Sequence, residues 1–138
     1  MKTTADIYPS LCYDDALVAI DWLQRAFGFE KRLVVPGPND TVLHSELTFG
    51  PNVVIMVGSS KPEQRRVSPR RLGGTTQALS LFVEDADAHC ARAKKAGAEI
   101  LRDVQVEEYG GRGYMCNDPE GHTWYFGSYR PGDWWEKK

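Results

Sequence analysis

Cysteine is sparse in this chain of 138 residues: Cys12, Cys90 and Cys116 are the full set, odd in number, widely separated and without a CxxC pair. That pattern fits free thiols in a reducing cytoplasm better than a disulfide framework. Charge of one sign is lacking too. The formal net charge is −2, so no polybasic surface suits nucleic acid or an anionic membrane. No apolar run approaches the ~20 residues a membrane span needs, and the opening MKTTADIYPS has no hydrophobic signal core. These absences predict a soluble cytoplasmic protein with neither nucleic acid nor membrane as partner. What is present is ordinary for a globular chain, 41% hydrophobic and 26% charged residues. Its length suits one domain, or two small modules sharing a core. Arg65, Arg66, Arg70 and Arg71 do cluster, among Pro62, Pro69, Gly73 and Gly74. The preferred reading there is a solvated linker, with an anion site as the alternative.

The pattern of the chain occurs twice. A first strand is predicted over 6–13, followed by Asp14 and Asp15 as candidate helix caps. Ala16, Ile20, Leu23 and Phe27 then mark one face of a helix, which Gly28 stops. Strands follow over 29–35, 41–49 and 53–57, with turns through 36–40 and 50–52. Shifted by 70 residues, Leu81–Ala86 falls on Leu11–Ala16, and Ala86, Cys90, Ala93 and Gly97 repeat the helical face. Strands are predicted again over 99–106, 113–117 and 123–128. Each half reads β-α-β-β-β. Alone, such a half has a marginal core, so the two are expected to pair around a cleft. The boundaries predicted are 5–58 for the first module, 59–76 for a linker, 77–128 for the second module and 129–138 for a tail.

Two stretches resemble a known family: Ala19–Phe29 (AIDWLQRAFGF) and the closing Asn117-Asp118-Pro119-Glu120-Gly121-His122. They are similar to segments of the vicinal-oxygen-chelate superfamily, which includes glyoxalase I, bleomycin-resistance proteins and extradiol dioxygenases. The resemblance covers roughly 5–128 and implies an α+β fold of two βαβββ modules, a curved mixed sheet around a cleft. Metal-dependent members draw ligands from the first and last strands of each module. By that resemblance the positions here are Tyr8, Met56, Ala78 and Tyr125. A phenol, a thioether, a methyl and a second phenol are a poor donor set for Ni, Zn, Mn or Mg. No metal site and no other cofactor are therefore expected, and the same four positions become candidate ligand contacts.

Other residues are weighed beside them. His44 and Glu46 form an H-x-E pattern on one strand face and are the candidate catalytic or ligand-contacting polar pair. The loop Tyr109–Tyr114 brings Arg112 and Tyr114 towards the cleft as ligand-binding candidates, Tyr114 taking the repeat position of Glu46. His122 is read as a structural turn histidine, and Cys116 as no nucleophile. Trp134 and Trp135 on the polar tail are expected to cap the cleft or meet a second subunit. The function expected is non-catalytic binding of a small aromatic or partly apolar ligand in the inter-module groove, resembling the bleomycin-resistance branch, in a homodimer. The alternative is an atypical, metal-independent enzyme of the same superfamily, a lyase, isomerase or dioxygenase-like protein using His44, Glu46 and Arg112.

Overall fold

Repetition of the sequence pattern becomes repetition of structure. A computed structural model describes residues 3–136, and the chain divides into two units, Met1–Leu72 and Gly73–Lys138. The first contains β1 (Ser10–Tyr13), α1 (Ala16–Phe27), β2 (Glu30–Pro36), β3 (Val42–Phe49) and β4 (Val53–Ser59). A 3₁₀ turn (Pro62–Gln64) and the short α2 (Pro69–Leu72) follow. The second contains β5 (Ala78–Phe82), α3 (Ala86–Lys95), β6 (Glu99–Val106), β7 (Arg112–Asn117), β8 (Thr123–Gly127) and the short α4 (Asp133–Glu136). Each unit forms its own four-stranded mixed sheet, ordered β1-β4-β3-β2 and β5-β8-β7-β6. In both, the outer strand pairs parallel with the last strand and the remaining pairs are antiparallel.

Corresponding residues start and stop the two helices. The Asp15 carboxylate accepts the Val18 N–H, and Asp85 accepts that of Ala88, so each helix has a side-chain N-cap. Gly28 (φ 92°) and Gly97 (φ 94°) adopt the left-handed conformation that ends a helix. Helix α1 buries Ala16, Ala19, Ile20, Leu23, Ala26 and Phe27. The sheet face that supplies the core of this unit carries Leu11, Tyr13, Leu47, Ile55 and Val57, all nearly inaccessible. Helix α3 has only small residues to bury, Ala86, Cys90 and Ala93. Its His89 supplies the bulk instead: the imidazole lies 4.1 Å from the Phe126 ring and shares a 2.6 Å hydrogen bond with the Tyr114 hydroxyl.

The turn before β8 explains the sequence Asp118–His122. One oxygen of Asp118 accepts the backbone N–H groups of Glu120, Gly121 and His122, and the other accepts the Trp124 indole N–H. Asp118, His122 and Trp124 are all buried. A buried carboxylate is tolerable because four donors converge on it.

Two expectations are corrected at the ends of the first unit. The first strand begins at Ser10 rather than residue 6, because Pro9 has no N–H to give the ladder and only its carbonyl accepts, from Met56. Tyr8 consequently precedes the strand and is 52% exposed. The segment from residue 59 to Leu72 is no featureless connection. Lys61 and Arg66 pair as an antiparallel bridge, Ser60 bonds to Asp14 and to the Ser68 N–H, and Arg71 forms an ion pair with Asp14. On the tail, Trp135 is 75% exposed in α4, and the side chain of Trp134 lies outside the described residues.

Candidate functional site

The candidate site is the open face of each sheet, the one turned away from its helix. Directly paired residues in adjacent strands project to the same side, so register assigns the faces. In the first unit Ser10, Met56, Glu46 and Leu33 form one row across the four strands. In the second, Ser80, Tyr125, Met115 and Arg102 form the corresponding row. Met56 and Tyr125 thus occupy equivalent positions on the last strand of each unit. The first-strand residues on these rows are Ser10 and Ser80, two positions beyond Tyr8 and Ala78; Ala78 sits exposed at the start of β5, opposite Thr123.

The same register corrects two candidates. The mate of Glu46 is Met115, not Tyr114. A one-residue step reverses the face of a strand, and Tyr114 is fully buried on the helix side, hydrogen-bonded to His89. Burial, and after it the neighbouring Cys116 and Cys90, raise its phenol well above the ordinary tyrosine range. Arg112 has the same parity. Its guanidinium makes a two-pronged pair with Asp87 in the first turn of α3, at 3.0 and 2.9 Å, rather than presenting itself to the open face.

On the first open face the His44 Nε2 lies 2.8 Å from the Glu46 carboxylate, both side chains about half exposed. Beside them is a pocket of about 80 Å³ lined by Ser10, His44, Met56, Gly58, Ser59, Lys61 and Arg66, among others. The second open face centres on Tyr125, whose ring is almost wholly buried. Glycine makes this possible. A Cβ on Gly113 would fall 2.0 Å from the Tyr125 hydroxyl and one on Gly127 2.6 Å from it, so the phenol occupies space that side chains would fill. The Arg102 guanidinium stands 5.9 Å from the centroid of that ring and pairs with the buried Glu107 carboxylate. The Tyr109 and Tyr125 hydroxyls are 3.2 Å apart. Desolvation, followed by the hydrogen bond to Tyr109 and the Glu107 charge, raises the Tyr125 phenol beyond its ordinary range. Tyr125 therefore stays a neutral phenol.

Arg102, Glu107, Ser10 and Ser80 escape a reading by composition, since isolated polar residues on strands carry no sign of which face they occupy. The one available signal was the repeat itself, continued beyond the strands that carry the family's ligand positions. Arg102 has a further property: its Nη1 is buried and meets no hydrogen-bond partner among the described residues, an arrangement that costs energy unless a further acceptor arrives.

The donor set does not suit a metal. Tyr8, Met56, Ala78 and Tyr125 supply neither imidazole nor carboxylate, and among the described residues no group of three His, Cys, Asp or Glu side chains gathers at one point. Nucleophilic thiol chemistry is equally ill served. Burial pushes the Cys116 thiol up to about 12, and burial also raises Cys90.

Among known proteins, the chain is 34% identical over 122 residues to the uncharacterized protein Mb0911c of Mycobacterium bovis, a match spanning 86% of this chain and 80% of that one. The crystal structure of TioX from Micromonospora sp. ML1 is 33% identical and superposes with a TM-score of 0.70, covering 89% of this chain and 94% of that one. TnmS3, an antibiotic binding protein from Streptomyces sp. CB03234, shares the fold at 21% identity and a TM-score of 0.71, over 92% of this chain and 97% of that one. No described helix is long and apolar enough to cross a membrane. With its duplicated βαβββ units and a family match that runs over residues 7–126, the chain belongs to the Glyoxalase/Bleomycin resistance protein/Dioxygenase superfamily.

Proposed function

We propose that this protein binds a small, partly apolar organic molecule without a metal, using the open sheet faces of its two units. The observation that carries the reading is Tyr125. On the last strand, where metal-dependent relatives would place a ligating carboxylate, the chain instead beds a neutral phenol over two glycines and sets a guanidinium beside it. The guanidinium stands over the buried ring and its Nη1 meets no acceptor among the described residues, so a ligand that reaches this pair finds an aromatic contact and an unused donor together. Met56 holds the equivalent place in the first unit, where a thioether suits an apolar contact. Ser10, Ser80 and Ala78 add small, exposed positions on the first strands. TnmS3, which shares the fold, is an antibiotic binding protein, and that makes aromatic antibiotics the first compounds to test. The working form is expected to be a homodimer.

A second reading keeps His44 and Glu46 as an acid/base pair, favoured by the 2.8 Å contact that would orient the imidazole. One experiment addresses both. A thermal-shift screen of aromatic antibiotics and small organic acids is expected to yield a stabilising compound, since a ligand at 100 times its Kd adds about 2.7 kcal/mol to the native state. Tyr125→Leu should weaken that compound about tenfold or more, the scale of one lost stacking contact. Elemental analysis of the same preparation should contain no stoichiometric Ni, Zn, Fe or Mn. Stoichiometric metal, or binding indifferent to Tyr125, would sink the proposal. Turnover of the compound that Glu46→Gln abolishes would establish the second reading instead.

A further inference from the structure

The segment after β4 brings two cations to the pocket of the first unit. Lys61 and Arg66 close a short turn by backbone bonds in both directions, 2.6 and 3.1 Å, so their side chains leave from neighbouring positions. Both line the pocket, together with His44 and Ser10. The turn is anchored on either side: Ser60 bonds to Asp14 and to the Ser68 N–H, and Arg71 pairs with Asp14. These bonds hold the turn against the sheet before any ligand arrives, which lowers the cost of ordering it on binding.

The charge in the pocket is uncompensated. No aspartate or glutamate lines it. Asp14 is engaged with Arg71 and Ser60, and Glu46, outside the lining, bonds the His44 imidazole, so Lys61 and Arg66 carry the charge that faces the pocket. The Arg66 guanidinium donates one bond, to the neutral Ser10 hydroxyl at 2.5 Å, and the Lys61 ammonium has no partner among the described residues. Two half-buried cations, a hydroxyl and an imidazole around one small space form a complementary set for an oxyanion. Size narrows the class. About 80 Å³ is well below the ~300 Å³ or more of a pocket that takes a whole drug-sized molecule. The pocket therefore takes a group, not a molecule.

We propose that this pocket is an oxyanion subsite, which receives a carboxylate or phosphate group carried by the ligand of the open sheet faces. The inference rests on the binding function proposed above, and it narrows that ligand to an organic anion. The sequence places these arginines in a solvated linker; folding against the sheet converts two members of that segment into a receptor.

The test uses the intact chain, isotopically labelled, with three defined probes: inorganic phosphate, benzoate and its neutral counterpart benzamide. Phosphate and benzoate are expected to shift the amide resonances of Ser10, His44, Gly58, Ser59, Lys61 and Arg66, and benzamide to leave them in place. Arg66→Gln should weaken benzoate about tenfold or more, the loss expected for one charge-assisted bond. Lys61→Gln, whose side chain has no structural partner, should weaken it in the same direction and guards against a folding artefact in the first variant. Benzamide shifting the same amides equally, or both variants keeping full affinity for benzoate, would overturn the subsite. A neutral aromatic that depends on Tyr125 but not on Arg66 would overturn the subsite while leaving the binding function standing. Phosphate binding at Arg66 with no organic ligand emerging from the screen would support the subsite and count against that function.

Discussion

At the scale of single residues, the contact between Tyr125 and its two glycines makes a sharp prediction. Gly113→Ala would place a methyl 2.0 Å from the Tyr125 hydroxyl and 2.4 Å from the ring carbon that bears it. The ring must move, and overpacking of this kind costs about 1–3 kcal/mol. Tyr125→Leu removes the obstruction, so Gly113→Ala should cost less in that background. A double-mutant cycle by urea unfolding reads the coupling directly; additive costs would mean that the ring is not wedged where the structure has it. The same residues mark the reach of the sequence. Met56 and Tyr125 were legible as equivalent places because the repeat, with one residue lost after the helix, relates them at an offset of 69. The sequence reading of Tyr114 and Arg112 is one residue out of step: β7 pairs without irregularity with β8, which sets Met115, not Tyr114, beside Tyr125. With Tyr114 and Met115 both able to face a core, alternation alone could not choose between them.

At the scale of elements, the two helices are held by different forces although one pattern encodes both. Helix α1 presents large apolar side chains, including Leu23 and Phe27, that are almost wholly buried. Helix α3 buries two alanines and a cysteine, packs His89 against Phe126, and adds exposed ion pairs at its two ends: Asp87 with Arg112, and Lys94 with Asp103 on β6. The hydrogen bond from Arg112 holds the Asp87 carboxyl below its ordinary 3.8, and that from Lys94 does the same for Asp103. A carboxylate whose folded pKa is depressed contributes stability above its unfolded value and loses it as pH falls through the folded one. The window therefore lies below pH 3.8 for both pairs. Amide exchange along an acid titration should show α3 loosening before α1, with added salt producing a milder form of the same change. Simultaneous loss of both helices would refute the distinction. Helix positions and caps were legible in the sequence, since spacing and Asp-to-Gly punctuation are local signals. The ion pairs were not, since each joins residues that only the fold brings together.

At the scale of the whole chain, the boundary between the units falls at Leu72 and Gly73. A Cβ on Gly73 or Gly74 would meet no atom within 4 Å, so this stretch bears no packing. Inserting four Gly/Ser residues between them should lower Tm by only a few degrees, because doubling a loop costs about 0.6 kcal/mol. Scanning calorimetry checks it; a drop of tens of degrees would show that the connection itself holds the native state together. The duplicated architecture was legible from the 70-residue shift, whereas the folding of residues 59–72 back onto the first unit was not. Proline, glycine and arginine there describe a chain that could stay solvated, and only the bonds to Asp14 and Ser68 show otherwise.

Duplication began with two interchangeable halves, and the rows across the open faces record how far that has gone. Serine still answers serine on the first strands, but thioether now answers phenol, carboxylate answers thioether, and leucine answers guanidinium. A chimaera built from two copies of either unit would keep the architecture while repeating one face's chemistry. Inheritance has become divergence: the same pleated frame now carries two different surfaces.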